Sequence, residues 1–218
     1  MTTQSENLIN FARGFAIGAH GDQKYGAGMP YYKHLDDVYA VLGKFGFTPL
    51  THPVLCAAAY LHDVLEDTPT TPEYLKALFG DDVLTLVQAV TNEPGENRKA
   101  RHEKTYPKIR KAGWWAMALK LADRIANVEA SLADTTGGKI GMYRKEHEGF
   151  KRALYTPTNE VLDSMWNHLN NLMEKNTPVV KVYVALDGSD VIRVFKKRKD
   201  ADSFAFLRQL DVKESELE

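Results

Sequence analysis

Apolar residues recur every three to four positions along most of this chain, the spacing of helices with one buried face. Leu8, Phe11, Phe15 and Ala19 mark a helix from Ser5 to His20, with Ser5 as its N-cap. Gly21 to Met29 contains Gly21, Gly26 and Gly28 and reads as a loop closing at Pro30. Helical spacing resumes from Tyr31 to Phe45 through Val38, Val41 and Leu42, and Pro49 to Pro53 punctuates it. A central apolar helix then runs to about Leu65, and a further helix spans Pro72 to Phe79, with Pro72 in its first turn. Gly80 stops that helix and Asp81 caps the next, Asp82 to Val90. After a polar loop, Asn92 to Arg98, the pattern predicts helices over His102–Lys111 (broken or late because of Pro107), Ala116–Leu132, Met142–Leu154 and Asn159–Glu174, with Gly137-Gly138 as a break.

The period changes after Pro178. Val179 to Leu186 alternates with β-branched residues, Asp187-Gly188 is a hairpin signal, and Asp190 to Phe195 is a second strand. Asp200 to Leu210 returns to helical spacing. The expected architecture is an all-α helical bundle over residues 1–177 with a ββα appendix over 178–218, too small to be stable alone. An unpaired ribbon exposes its edges, so Lys181 to Phe195 must either cover its own body or pair in a homo-oligomer.

Composition narrows the field mostly by exclusion. The 218 residues carry 28 Lys and Arg against 29 Asp and Glu, which leaves no global footprint for nucleic acid or a membrane surface. No apolar run reaches membrane-spanning length and the N-terminus is polar, without a signal-peptide pattern. A single cysteine, Cys56, rules out an intrachain disulfide and a zinc–cysteine cluster, and suits a cytoplasmic protein. Its neighbours Val54, Leu55 and Ala57 make it a core residue.

The chemistry concentrates in Ala57 to Thr68. Here an apolar helical run carries His62-Asp63 and, one turn later, Glu66-Asp67. Burying such groups is costly unless something compensates, and a divalent cation does so for imidazole and carboxylate together. Positions three and four apart share a helical face, so all four side chains are expected to point one way. His34 upstream and Asp123 downstream complete two imidazoles and two carboxylates, a donor set for Mn²⁺, Fe²⁺ or Mg²⁺. A cation so held acidifies water and polarises a phosphoryl oxygen, and Glu66 and Asp67 are placed to orient or deprotonate that water. Singly, each residue is more often a cap or a surface group. The combination is what points to a metal-dependent hydrolase.

These residues resemble a family. His34 … His62-Asp63 … Asp123 is similar to the pattern of the HD phosphohydrolase superfamily. The string Leu61-His62-Asp63-Val64-Leu65-Glu66-Asp67-Thr68 resembles the hydrolase domain of RelA/SpoT proteins and small alarmone hydrolases, including the metazoan SpoT homologues. Pro30-Tyr31-Tyr32-Lys33-His34, Phe79-Gly80, Val90-Thr91 and Lys120-Leu121-Ala122-Asp123-Arg124-Ile125-Ala126-Asn127 match further motifs in order. The resemblance covers residues 5 to 170. It implies one Mn²⁺ on His34, His62, Asp63 and Asp123, with Glu66 and Asp67 placing the nucleophilic water. The implied reaction removes the 3′-pyrophosphate of guanosine tetra- or pentaphosphate. No synthetase domain follows, so such a protein would destroy the alarmone and not make it.

The early loop departs from the family. Where relatives read Gln-x-Arg-Lys-Ser-Gly, this chain has Gln23-Lys24-Tyr25-Gly26-Ala27-Gly28, with Tyr25 at the base-packing arginine and Gly26 at the lysine. A tyrosine ring can stack on a base but supplies no charge, and Lys24 restores only a mobile point charge. Other candidates for substrate binding are Lys120 and Arg124, which flank Asp123, Asn127 one turn later, and Tyr143. One of the two cations is expected to bridge a carboxylate structurally. The segment Asn97 to His102 with Lys104 is either a phosphate clamp or a solvated loop. Three functions compete: alarmone hydrolysis, hydrolysis of another nucleotide such as the NADPH 2′-phosphate or a deoxynucleotide, and a non-enzymatic nucleotide-sensing domain.

Overall fold

The computed structural model describes residues 3–134, 138–157, 159–174, 180–187, 190–195 and 211–217. The chain divides into two compact units, Met1–Met173 and Glu174–Glu218.

The first unit is built from α1 (Gln4–His20), α2 (Tyr32–Lys44), α3 (Pro53–Leu61), α4 (Val64–Asp67), α5 (Pro72–Val90), α6 (Arg98–Ala112), α7 (Trp114–Ala133), α8 (Ile140–Leu154) and α9 (Glu160–Glu174). Its centre is α3, where every residue from Leu55 to Leu61 is buried. A helix apolar all round has no face for water and must be surrounded. α1, α2, α5 and α7 pack around it. Cys56 is part of that core, fully enclosed, and burial pushes its thiol up to about 11.

Helix termini follow their caps more closely than their apolar period. α1 starts at Gln4 because Thr3, not Ser5, is the N-cap: its side chain accepts from Glu6 N while Glu6 reaches back to the Thr3 amide. α6 starts at Arg98, four residues before the expected His102, because Asn97 Oδ1 accepts from Ala100 N at 3.0 Å. It also runs through Pro107 without a break. Proline removes one intrahelical bond there, while buried Tyr106 and Ile109 anchor the same turn in the core. The Gly21–Met29 loop contains a small ladder, β1 (Lys24–Tyr25) antiparallel to β2 (Met29–Pro30), turned by Gly26 and Gly28.

Gly80 interrupts α5 as its motif suggested. It holds φ 83° and ψ 175°, a region open essentially to glycine. A Cβ at this position would meet nothing within 4 Å, so the penalty for a side chain is conformational and not steric. Gly80→Ala is expected to lower stability by about 1–3 kcal/mol, read as a lower thermal midpoint with unchanged metal content.

The second unit is a three-stranded antiparallel sheet in the order β4-β3-β5. β3 (Val180–Asp187) and β4 (Asp190–Phe195) are the expected hairpin, paired from Tyr183↔Phe195 to Asp187↔Asp190. β5 (Asp211–Leu217) was not expected; it pairs along the other edge of β3, from Val180↔Leu217 to Leu186↔Asp211. Asp-Val-Lys-Glu-Ser-Glu-Leu has little intrinsic strand preference, so its partner dictates its conformation. Among the described residues the appendix therefore adds a third strand to the expected hairpin. The expected helix over Asp200–Leu210 lies outside the described residues, as does Gly188 of the turn.

Candidate metal centre

Three separate segments bring the site together. His34 projects from the first turns of α2, and Asp123 from the middle of α7. His62 and Asp63 lie between α3 and α4, and this corrects the expected continuous helix to Leu65. Regular pairing lapses at His62-Asp63 and a new short turn begins, with both Glu66 N and Asp67 N donating to Asp63 O. The four polar side chains therefore do not share one helical face. His62 is buried and Asp63 largely so, whereas Glu66 and Asp67 are exposed at the rim.

The ligand atoms of His34, His62 and Asp123 lie within 4.8 Å of one another. Asp123 Oδ1 stands 3.4 Å from His34 Nε2 and 3.9 Å from His62 Nε2. Asp63 Oδ2 stands 3.0 Å from His62 Nε2 and 3.7 Å from His34 Nε2. His62 Nδ1 is 2.8 Å from the carbonyl of Ala59, which makes it the protonated nitrogen and turns the Nε2 lone pair toward the carboxylates. Nε2 of His62 is buried with no hydrogen-bond partner among the described residues. A buried imidazole whose Nε2 lone pair faces two carboxylates without a formed hydrogen bond is what a divalent cation requires, so the residues fit one.

Electrostatics agree. Burial lowers the pKa of His62, but Asp63 and then Asp123 outweigh it and push it up to about 9. Burial raises Asp63, yet the His62 imidazole holds it well below the carboxylate range. Burial likewise raises Asp123, and Lys120 and the two histidines bring it far down. A proton or a metal ion at Nε2 answers the same pair of negative charges.

Around the four lies a polar frame. Tyr31 Oη donates to Asp63 Oδ2 at 2.5 Å; burial and the adjacent Asp63 raise its pKa strongly. Lys120 Nζ pairs with Asp123 Oδ2 at 2.9 Å. Asn127 Nδ2 donates to Asp123 Oδ1, while its own Oδ1 accepts from Tyr25 Oη at 3.0 Å and Tyr143 Oη at 3.1 Å. Tyr25, Asn127 and Tyr143, separate candidates from the sequence, thus meet at one point. Tyr25 also stacks on the His34 ring at 4.8 Å. These three side chains edge a cavity of about 790 Å³, whose wall also includes Asp37, Lys44 and Lys139. Lys24 is exposed on β1.

Both flanking cations of Asp123 are paired. Arg124 is buried, donates to Glu146 Oε2 at 3.0 Å, and lies over the Tyr143 and Phe150 rings. Arg98, in the basic segment, donates to both oxygens of the same Glu146. Of the rest of that segment, Lys104 donates to Pro94 O and Lys99 pairs with Glu103 at the surface. The sequence alone assigns no role to Tyr31, Gln23, Asn92 or Glu146. Tyr31 had a local signal, three residues before His34. The other three are recognisable only by their partners: Asn92 N and Nδ2 donate to the two oxygens of Glu66, at 2.6 and 2.9 Å, and Gln23 Nε2 donates to Asp67.

The family model described as HD domain matches residues 12–144, more than half of the chain. A guanosine-3′,5′-bis(diphosphate) 3′-pyrophosphohydrolase of Aquifex aeolicus is 38% identical over 129 residues, 58% of this chain and 18% of that protein. The corresponding enzyme MESH1 of Danio rerio is 33% identical over 116 residues, 52% of this chain and 63% of that protein. The chain spans less than two thirds of these curated relatives. Among solved structures, that of a metazoan orthologue of SpoT, described as hydrolysing ppGpp, superposes with a TM-score of 0.68 at 24% identity, covering 81% of this chain and 98% of that one. That likeness speaks for the fold alone. Among the described residues no helix is long and apolar enough to cross a membrane. With His34, His62-Asp63 and Asp123 gathered inside the matched span, the chain belongs to the HD-domain family, the metal-dependent phosphohydrolase superfamily that its motifs resemble.

Proposed function

We propose that this protein hydrolyses a nucleotide phosphoester with a divalent cation, Mn²⁺ first, held by His34, His62, Asp63 and Asp123, and that it removes the 3′-pyrophosphate of guanosine 3′,5′-bis(diphosphate). The observation that carries the reading is the buried His62 Nε2, without a formed hydrogen bond and facing the carboxylates of Asp63 at 3.0 Å and Asp123 at 3.9 Å. The relatives' activity supports the substrate. When bound, the cation would supply charge neutralisation at the phosphoryl oxygens and acidify a water. The chain's own groups do the rest. Glu66 and Asp67, exposed at the rim, would hold a water beside the phosphate and accept its proton. Tyr31 keeps Asp63 turned toward the centre, and Asn127 does the same for Asp123. Lys120 balances the excess negative charge. The cavity beside Tyr25, Asn127 and Tyr143 receives the nucleoside, and a reducing cytosol is the compartment proposed.

The test is direct. Manganese-loaded protein is expected to release pyrophosphate from guanosine 3′,5′-bis(diphosphate), and Asp63→Ala to release none. Absence of turnover at full metal occupancy removes this substrate.

A second reading has one specific observation in its favour. Tyr25, which stands at the family's base-packing arginine in the sequence resemblance, turns its ring onto His34 and its hydroxyl onto Asn127 and carries no charge of its own. The same centre acting on the NADPH 2′-phosphate or a deoxynucleotide would need none there. A substrate panel read separately for phosphate and pyrophosphate distinguishes the two. The non-enzymatic sensing reading predicts tight nucleotide binding with neither metal nor turnover. For the β-unit, β4 and β5 are the sheet edges among the described residues, and we propose that they pair with a second copy; a monomeric wild type, or the same number of subunits after deletion beyond Thr177, would refute it.

A further inference from the structure

An imidazole and an amide tie the second rim acid back to the end of α1. His20 is buried and its ring stacks on Tyr31 at 4.4 Å. Its Nδ1 lies 2.8 Å from Gln23 Oε1, and Gln23 Nε2 donates to Asp67 Oδ2 at 2.9 Å. Donor and acceptor chemistry gives this chain a direction. An ionised carboxylate only accepts, so Gln23 must offer its NH₂ to Asp67 and turn Oε1 toward His20. Oε1 also only accepts, so His20 must carry its proton on Nδ1. The remaining nitrogen, Nε2, is buried without a partner among the described residues. A bare lone pair tolerates that position better than an N–H, and the same tautomer follows.

We propose that Gln23 is a positioning residue that sets the orientation of the Asp67 carboxylate, and that His20 fixes which way the Gln23 amide points. The inference rests on the reading of Glu66 and Asp67 as the groups that hold the attacking water. Glu66 has its own holder in Asn92, so each rim acid is clamped by an amide from a different loop. The Gln23–Asp67 bond is solvent-exposed, where exchange with water leaves little net stability. What it supplies is direction. Stacking on Tyr31 links the clamp to the residue that turns Asp63, so ligand and rim acid are oriented from one scaffold.

Two measurements test this. In ¹⁵N-labelled protein the His20 ring is expected to show a protonated Nδ1 and a bare Nε2, a preference weakened in Gln23→Leu. An Nε2–H tautomer in the wild type overturns the proposal whether or not any nucleotide is turned over. In kinetics, Gln23→Leu is expected to lower kcat by about ten- to a hundredfold, the scale of a small misplacement of a reacting group, with KM and manganese content unchanged. His20→Phe, which keeps the stack on Tyr31, should lose as much, and the double variant no more than either. His20→Asn, whose amide N–H falls near the place of Nδ1, should recover most of it. A Gln23→Leu kcat within twofold of wild type, or losses that multiply in the double variant, refutes the clamp. A wild type without activity on the whole substrate panel instead refutes the hydrolase reading.

Discussion

Asp123→Ala is expected to empty the metal centre and to destabilise the fold at once. The carboxylate serves four neighbours: Oδ1 faces both imidazoles and accepts from Asn127, and Oδ2 accepts from Lys120. Loss of an outer partner of a metal site alone costs about 10–100-fold in affinity or activity, so loss of the carboxylate itself should exceed that. The larger structural penalty falls on Lys120, whose side chain is only 11% exposed. Burial lowers its pKa, and Asp123 then Asp63 raise it above the ordinary lysine value; without Asp123 a buried ammonium is left largely uncompensated. Breaking such a pair typically costs about 3–5 kcal/mol. Elemental analysis and thermal unfolding check the two halves separately. Asp123→Ala with Lys120→Met should regain much of the stability and none of the metal. A variant that keeps its manganese and melts with the wild type would remove Asp123 from the centre.

Glu146→Leu is expected to be the most destabilising change outside the centre. One carboxylate there serves two guanidinium groups, one of them Arg124, just 4% exposed between aromatic rings. Arg98 is half in solvent and can rehydrate; Arg124 cannot. The expected loss is about 3–5 kcal/mol, and Arg124→Met added to Glu146→Leu should restore most of it, because an apolar pair of similar volume replaces a buried ion pair with little penalty. The pH dependence has a definite sign. Burial raises the Glu146 carboxyl, but Arg98 and Arg124 hold it below its ordinary value. Its contribution is therefore complete above the unfolded-state pKa and is lost as pH falls through the lower folded one. The wild type should lose stability on that acid limb and the double variant less so, as urea midpoints across the range would record.

Several features of the site were legible locally. His62-Asp63 inside an apolar run is conspicuous because nothing in that run can solvate it. Lys120, Asp123 and Asn127 share a helical face by spacing alone, and their contacts in α7 follow it. Gly80 signalled its kink because few other residues can adopt that backbone. The misses have physical reasons too. The lapse at His62-Asp63 breaks no apolar period, since Leu61 and Val64 on either side stay buried, so nothing in the local pattern marks it. Pro107 reads as a breaker by propensity, and packing of its neighbours overrides that. β5 carries almost no strand preference and takes its form from β3.

From its sequence this chain already had its class of fold, its candidate ligand types and the buried side of its most periodic helices, because those depend on spacing within a few residues and on the cost of burying charge. Which partner each of those groups would find was decided only in three dimensions. Tyr25 meets Asn127 across 102 residues and Gln23 meets Asp67 across 44. A hydrogen bond needs donor and acceptor within about 3 Å, and helix packing alone sets distances that fine between segments so remote in the chain.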